Sequence, residues 1–132
     1  QSEYEGVYYC LKTLPIQSKA VALACIKDRK RILKSKQTKS GESTTNTAYN
    51  EYNNICHRLG IGGLSLRRFS DIINDLAFLG MLNNTITYTK TTNVPSRGKK
   101  KIIEITISLE RAEEIITDDE VFCSFKPEII QT

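Results

Sequence analysis

Hydrophobic side chains recur every three or four positions over residues 1–80 and every second position beyond, a switch that predicts helices followed by strands. Tyr4, Val7, Tyr8, Leu11 and Leu14 share one helical face. Pro15 follows them, and its missing N–H and its ring predict that this helix ends near Thr13. The helical period resumes at Ile16, and residues 20–26 are apolar on nearly every side, the mark of a central helix covered by neighbours. Hydroxyls at positions 43–45 offer an N-cap, after which Ala48, Tyr49, Tyr52, Ile55, Cys56 and Leu59 form a stripe that Gly60 terminates. After a turn at Ile61-Gly62-Gly63-Leu64, Ser65 can cap a helix whose face of Leu66, Phe69, Ile72, Ile73, Leu76 and Leu79 is buried, with Gly80 as its stop. Two helices joined by so short a glycine-bearing turn predict a helix-turn-helix.

In the second half, Ile86 and Tyr88 alternate with Thr85, Thr87 and Thr89, while Ile103, Ile105, Ile107 and Leu109 alternate with Glu104, Thr106 and Ser108. This is the pattern of half-buried antiparallel strands. The segment between them is polar, contains Pro95 and Gly98, and carries Arg97, Lys99, Lys100 and Lys101 at its far end, which predicts a basic wing over residues 90–101. Ser108 can cap a last short helix through Ala112, Ile115 and Ile116, and the acidic residues after Thr117 show no period. The predicted fold class is therefore α+β: a winged helix-turn-helix, mainly helical, with a C-terminal two-stranded β wing. Its expected organisation is an N-terminal helix or linker from an upstream module over residues 1–14, a winged-helix domain over 15–116, and an acidic tail over 117–132.

Charge changes this picture more than composition does. The 132 residues carry 19 Lys and Arg against 15 Asp and Glu, but residues 1–109 hold 17 against 8, an excess of +9 that the net +4 conceals. Such a field favours a polyanionic partner. One basic run, Lys27 to Lys39, fits a solvated helix end and a phosphate contact equally well. The four cysteines, at 10, 25, 56 and 123, show no C-x-x-C pair and have only His57 beside them, so no metal and no redox motif is implied. They are expected to be small buried apolar side chains in a reducing, cytosolic compartment. The longest apolar run is far too short to cross a bilayer, and no membrane partner is expected. Gln1 leads directly into a patterned segment, as a piece of a longer chain would.

No enzymatic constellation emerges. Asp118-Asp119-Glu120 lacks the geometry of a defined cation site, there is no Gly-rich phosphate loop, and His57 has no nucleophile beside it. The chain is not expected to be an enzyme or to need a cofactor. With Leu66, Phe69, Ile73 and Leu76 inward, the helix over residues 65–79 turns Arg67, Ser70, Asp71, Asn74 and Phe78 outward, with Arg68 and Asp75 on its flanks. Arg67 can fork onto guanine O6 and N7, and Asn74 onto adenine N6 and N7, with Ser70 beside them; Ser65 and the free N–H groups of the first turn suit a phosphate. Asp71 is expected to orient an arginine or to accept from cytosine N4. In the wing, Lys90, Arg97, Gly98, Lys99, Lys100 and Lys101 are the candidate backbone contacts, with Arg97 the candidate for a minor groove. Lysines at a hairpin tip also keep sheet edges from pairing, which leaves a non-DNA role open.

Several segments together resemble a known family. They are Leu14-Pro15-Ile16-Gln17-Ser18-Lys19-Ala20-Val21-Ala22-Leu23; Thr44-Thr45 with Ala48-Tyr49-Asn50-Glu51-Tyr52 and Cys56; Leu64-Ser65-Leu66-Arg67-Arg68-Phe69-Ser70-Asp71 with Leu79-Gly80; Arg97-Gly98; and Glu104-Ile105-Thr106-Ile107-Ser108-Leu109. They resemble the C-terminal winged-helix domain of archaeal Orc/Cdc-type replication initiators, over roughly residues 14–116. The resemblance implies binding to double-stranded origin DNA, an upstream AAA+ ATPase module, a part in loading the replicative helicase, and a monomeric fragment. It also implies DNA contacts at Ser65, Arg67, Arg68 and Ser70 and, in the wing, at Arg97, Gly98 and Lys99. A dimeric winged-helix transcription regulator and a winged helix used for protein contact are the alternatives.

Overall fold

A computed structural model describes residues 5–34, 43–88 and 99–126, apart from the side chains of 86–88, 99 and 100. Helix α1 (Glu5–Thr13) stops before Pro15, and α2 (Ile16–Lys34) runs on from it. Every residue from Ala20 to Ile26 is fully buried, so α2 is the axis around which the rest is packed. A two-residue strand β1 (Ser43–Thr44) leads into α3 (Thr45–Leu59), capped by Thr44 in a reciprocal pair of bonds with Thr47. Helix α4 (Leu66–Leu79), strands β2 (Leu82–Tyr88) and β3 (Lys99–Ile105), helix α5 (Leu109–Thr117) and a 3₁₀ helix (Glu120–Phe125) complete the order. Gly60 and Gly80 close α3 and α4 with φ of 69° and 100°, a left-handed turn that a residue with a Cβ adopts only under strain.

The molecule is a winged helix: helices α2, α3 and α4 pack together, and a small antiparallel sheet in the order β1-β3-β2 flanks them. The wing has one strand more than the expected two. Ser43 and Thr44 pair with Ile103 and Ile102, a match too short to leave a period-two signature. β3 is also shorter than the alternation suggests. Thr106 is held by Met81 O (2.9 Å, from its N–H) and Gly80 O (2.7 Å, from its hydroxyl), and Ser108 turns the chain into α5 by accepting from Arg111 N at 3.2 Å. Ile107 stays buried without being in a strand.

Helix α1 and the 3₁₀ helix both contribute to the core. On α1, Tyr8 and Leu11 are buried, the Tyr8 hydroxyl accepts from Ser108 N at 3.0 Å, and Arg111 lies 4.0 Å over its ring. Residues 118–126, expected as part of a patternless acidic tail, bury Phe122 and Phe125. The two phenyl groups, three residues apart, supply apolar area that outweighs the neighbouring carboxylates. Asp119 itself caps the 3₁₀ helix through Val121 N at 2.9 Å and pairs with Lys19 at 2.6 Å. Among the cysteines only Cys25 and Cys56 are buried; Cys10 is half-buried and Cys123 exposed, against expectation. Tyr9 is exposed, because it lies on the far side of α1 from Tyr8 and Leu11.

Candidate nucleic-acid interface

Helix α4 is aimed by the turn that precedes it, and that turn is gripped from two helices. The Tyr52 hydroxyl accepts from Leu64 N at 2.9 Å and donates to Gln17 Oε1 at 2.5 Å, while Gln17 Nε2 donates to Gly62 O at 3.0 Å. Tyr49 donates to Leu64 O at 2.8 Å. Burial, more than any other influence, pushes the Tyr52 hydroxyl up to about 12, so it stays protonated and keeps its donor. Phe69, the first buried residue of α4, meets Tyr49 edge-on at 5.1 Å and Tyr52 at 5.3 Å. Ser65 caps the helix by accepting from Arg68 N at 3.3 Å. Two tyrosines, a glutamine and a phenylalanine thus fix the direction of α4 relative to α2 and α3.

The face opposite Phe69, Ile73 and Leu76 is turned to solvent. Arg67, Arg68, Asp71, Asn74, Asp75 and Phe78 are exposed and Ser70 is half-buried. Leu66, expected inward, is 42 % exposed because it stands in the first turn, beyond the reach of the core. Among the described residues neither Arg67 nor Arg68 is paired with Asp71, so the expected orienting role of that carboxylate has no partner on its own helix. Asn74 is engaged: its Oδ1 accepts from Asn84 Nδ2 of β2 at 2.9 Å. This bond joins α4 to the wing, and pairing of Asn74 with adenine would have to share it.

The wing candidates divide. Lys99, Lys100 and Lys101, read from sequence as part of the polar connection, are strand residues that pair with Tyr88, Thr87 and Ile86. Lys90, Arg97 and Gly98 lie outside the described residues.

The basic run of α2 is largely consumed internally. Glu113 of α5, itself buried, pairs with Lys27 at 3.6 Å and with Lys30. Asp28, fully buried, binds Arg31 Nη2 at 2.6 Å and Thr47 Oγ1 at 2.7 Å and accepts from Ser43 Oγ, while Arg31 also reaches Glu51 at 3.6 Å. This carboxylate ties α2 to β1 and α3, and together with burial it raises the neighbouring Cys25 thiol well above the ordinary thiol range, burial being the larger cause. Sequence reasoning assigned no role to Asp28, Gln17 or Asn84. A lone carboxylate within a basic helix turn, between Lys27 and Arg29, was the signal available for Asp28; Gln17 and Asn84 gave none. Among the described residues no group of His, Cys, Asp or Glu could hold a metal ion, and no helix is long and apolar enough to cross a membrane.

Comparison with known proteins gives a consistent neighbourhood. The family profile described as "CDC6, C terminal winged helix domain" matches residues 9–115. An ORC1-type DNA replication protein 1 of Methanosarcina acetivorans is 27% identical over 89% of this chain and 26% of its own length. An ORC1-type DNA replication protein of Picrophilus torridus is 32% identical over 88% of this chain and 25% of its own. The chain thus spans about a quarter of the curated relatives it matches. The structure of the Aeropyrum pernix ORC1 protein in complex with DNA superposes with a TM-score of 0.72 at 22% identity, over 94% of this chain and 29% of that one, a likeness of fold.

Proposed function

Because this chain belongs to the family of CDC6 C-terminal winged helix domains, we propose that it binds duplex DNA through α4 and the wing, as the DNA-binding end of an archaeal-type replication initiator acting at origin sequences. One observation carries this reading: Arg67 and Arg68 stand unneutralised among the described residues at the N-terminal turn of a helix whose direction is fixed by Tyr49, Tyr52 and Phe69. A rigid helix with free guanidinium groups and a capped N-terminus is what the major groove accommodates. The relatives named above are replication proteins, and the Aeropyrum protein was seen with DNA; both support the proposal.

In this reading Ser65 and the first-turn N–H groups hold a phosphate, Arg67, Ser70 and Asn74 meet base edges, and Arg68 lies toward the backbone. Lys90, Arg97, Gly98, Lys99, Lys100 and Lys101 follow the adjoining strand or minor groove. ATP hydrolysis and contacts with a replicative helicase belong to a longer protein and are part of the same proposal. The test is a salt titration with duplex DNA: if about six phosphates are neutralised, log K should fall against log salt with a slope of about −5. A flat response sinks the proposal.

A further inference from the structure

Phe78 is 95 % exposed, more than any other large hydrophobic side chain among the described residues. It is not part of the core stripe of α4: Leu76 is buried and Leu79 half-buried, while Phe78 points to the other side. Arg67, Asp71, Asn74 and Phe78 follow one another at spacings of four, three and four, which places all four within an arc of about 60° on a helix of 3.6 residues per turn. The residues one turn before Phe78, Asn74 and Asp75, are exposed and polar, so it is a lone phenyl group on a hydrophilic stripe and not the edge of an apolar patch.

The floor of the major groove offers one apolar group, the C5-methyl of thymine, and a phenyl ring is among the side chains that meet it. Arg67 and Phe78 are separated by about 16 Å along the helix axis, and because a helix in the major groove is inclined to the DNA axis this spans at most about five base pairs of rise. We propose that Phe78 reads a thymine methyl in the major groove, at the opposite end of α4 from the base that Arg67 meets. The proposal rests on α4 being the DNA-facing helix. It adds a hydrophobic reader to a helix whose other candidate readers are polar, and it predicts that the preferred site contains a thymine within about five base pairs of an Arg67 contact.

The test uses the 132-residue chain and duplexes selected by it from a randomised library. Each thymine of the selected duplex is replaced in turn by deoxyuridine, which lacks only the methyl group, and affinity is measured by fluorescence anisotropy. One replacement should weaken the wild type about three- to fivefold, the effect expected for one methyl group removed from an apolar contact. Phe78→Ala should lose the same factor on the thymine duplex and bind the thymine and uracil versions alike, while Phe78→Leu keeps a preference for thymine. Thermal unfolding of Phe78→Ala should match the wild type, since so exposed a side chain supports nothing. Wild-type binding with unchanged thymine preference in Phe78→Ala overturns the inference and leaves DNA binding in place. A uniform loss on every duplex likewise overturns it, assigning Phe78 to the backbone. If the wild type selects no duplex at all, the reading of α4 as DNA-facing fails, and this inference with it.

Discussion

The second half of α2 and the first turn of α4 are built from the same cationic residues and meet opposite fates. On α2, Lys27, Lys30 and Arg31 are held by Glu113 of α5, Glu51 of α3 and Asp28 of α2 itself. On α4, Arg67 and Arg68 have no such neighbours among the described residues. The difference lies in surroundings. α2 is covered on its inner side by α3, β1 and α5, and the carboxylates buried there, Asp28 and Glu113, must be paired and draw its cations to them. The start of α4 projects beyond Tyr49 and Tyr52 into solvent, where a guanidinium is stable unpaired and therefore available. A count of cations along the chain overstates the field it can present, and it is the free pair on α4 that carries the proposed function.

The largest effect that probes this comparison is on the α2 side. Asp28→Ala removes the carboxylate that joins Arg31, Ser43 and Thr47, leaving two hydroxyls without their acceptor, and should cost on the order of 2–4 kcal/mol of folding stability in urea unfolding. DNA affinity per folded molecule should be retained. If stability falls by less than about 0.5 kcal/mol, the cations of α2 are not held as described.

Next in size is the reciprocal pair. Arg67→Ala should cost about 1–3 kcal/mol of affinity on the preferred duplex with unchanged thermal stability, and Arg31→Ala should leave affinity unchanged while lowering stability. Equal losses of affinity from the two substitutions would abolish the distinction between consumed and free cations. The comparison would be sharpened further if Lys100→Ala weakened all duplexes alike, as a backbone contact does.

These assignments show where sequence is legible. The breaks at Pro15, Gly60 and Gly80, the caps at Ser65 and Ser108 and the outward Arg67 could all be read because each depends on neighbours within one turn. β1 could not, since two residues have no period, and its pairing with Ile102 and Ile103 is set some 60 positions away. The docking of Phe122 and Phe125 was obscured by the carboxylates around them, although two aromatics at helical spacing were a usable signal. The pairing of α2 with other elements was invisible for the same reason as β1. Glu113 and Asp119 belong to the acidic C-terminal quarter, and only the fold returns them to Lys27, Lys30 and Lys19. The apparent split into a basic body and an acidic tail is, in part, one set of ion pairs.

A smaller effect links the two regions. Tyr52→Phe deletes the hydroxyl that bridges Gln17 of α2 to the backbone of Leu64, just before α4, and should cost about 1 kcal/mol of stability by urea unfolding. It should also reduce duplex affinity a fewfold, because the turn that aims α4 loses one of its grips. Loss of stability with no change in affinity would show that Phe69 packing alone sets the direction of the helix.

The smallest effect is the pH dependence of the Lys19–Asp119 pair, which joins α2 to the N-cap of the 3₁₀ helix. The Lys19 ammonium, donating at 2.6 Å, and then Val121 N–H hold the Asp119 carboxyl below its ordinary value of 3.8. A folded pKa below the unfolded one means that the pair contributes stability throughout the range above about pH 4 and loses it as pH falls through the folded value. Asp119 keeps a quarter of its side-chain exposure, so solvent screening limits the contribution to about 0.5–1 kcal/mol. Urea unfolding of the wild type and of Asp119→Asn should therefore differ by that amount at pH 7 and converge toward pH 3. A difference that persists unchanged at pH 3 would show that it does not come from the carboxylate charge, and would place Lys19 with the free cations of α4 rather than with its neighbours on α2.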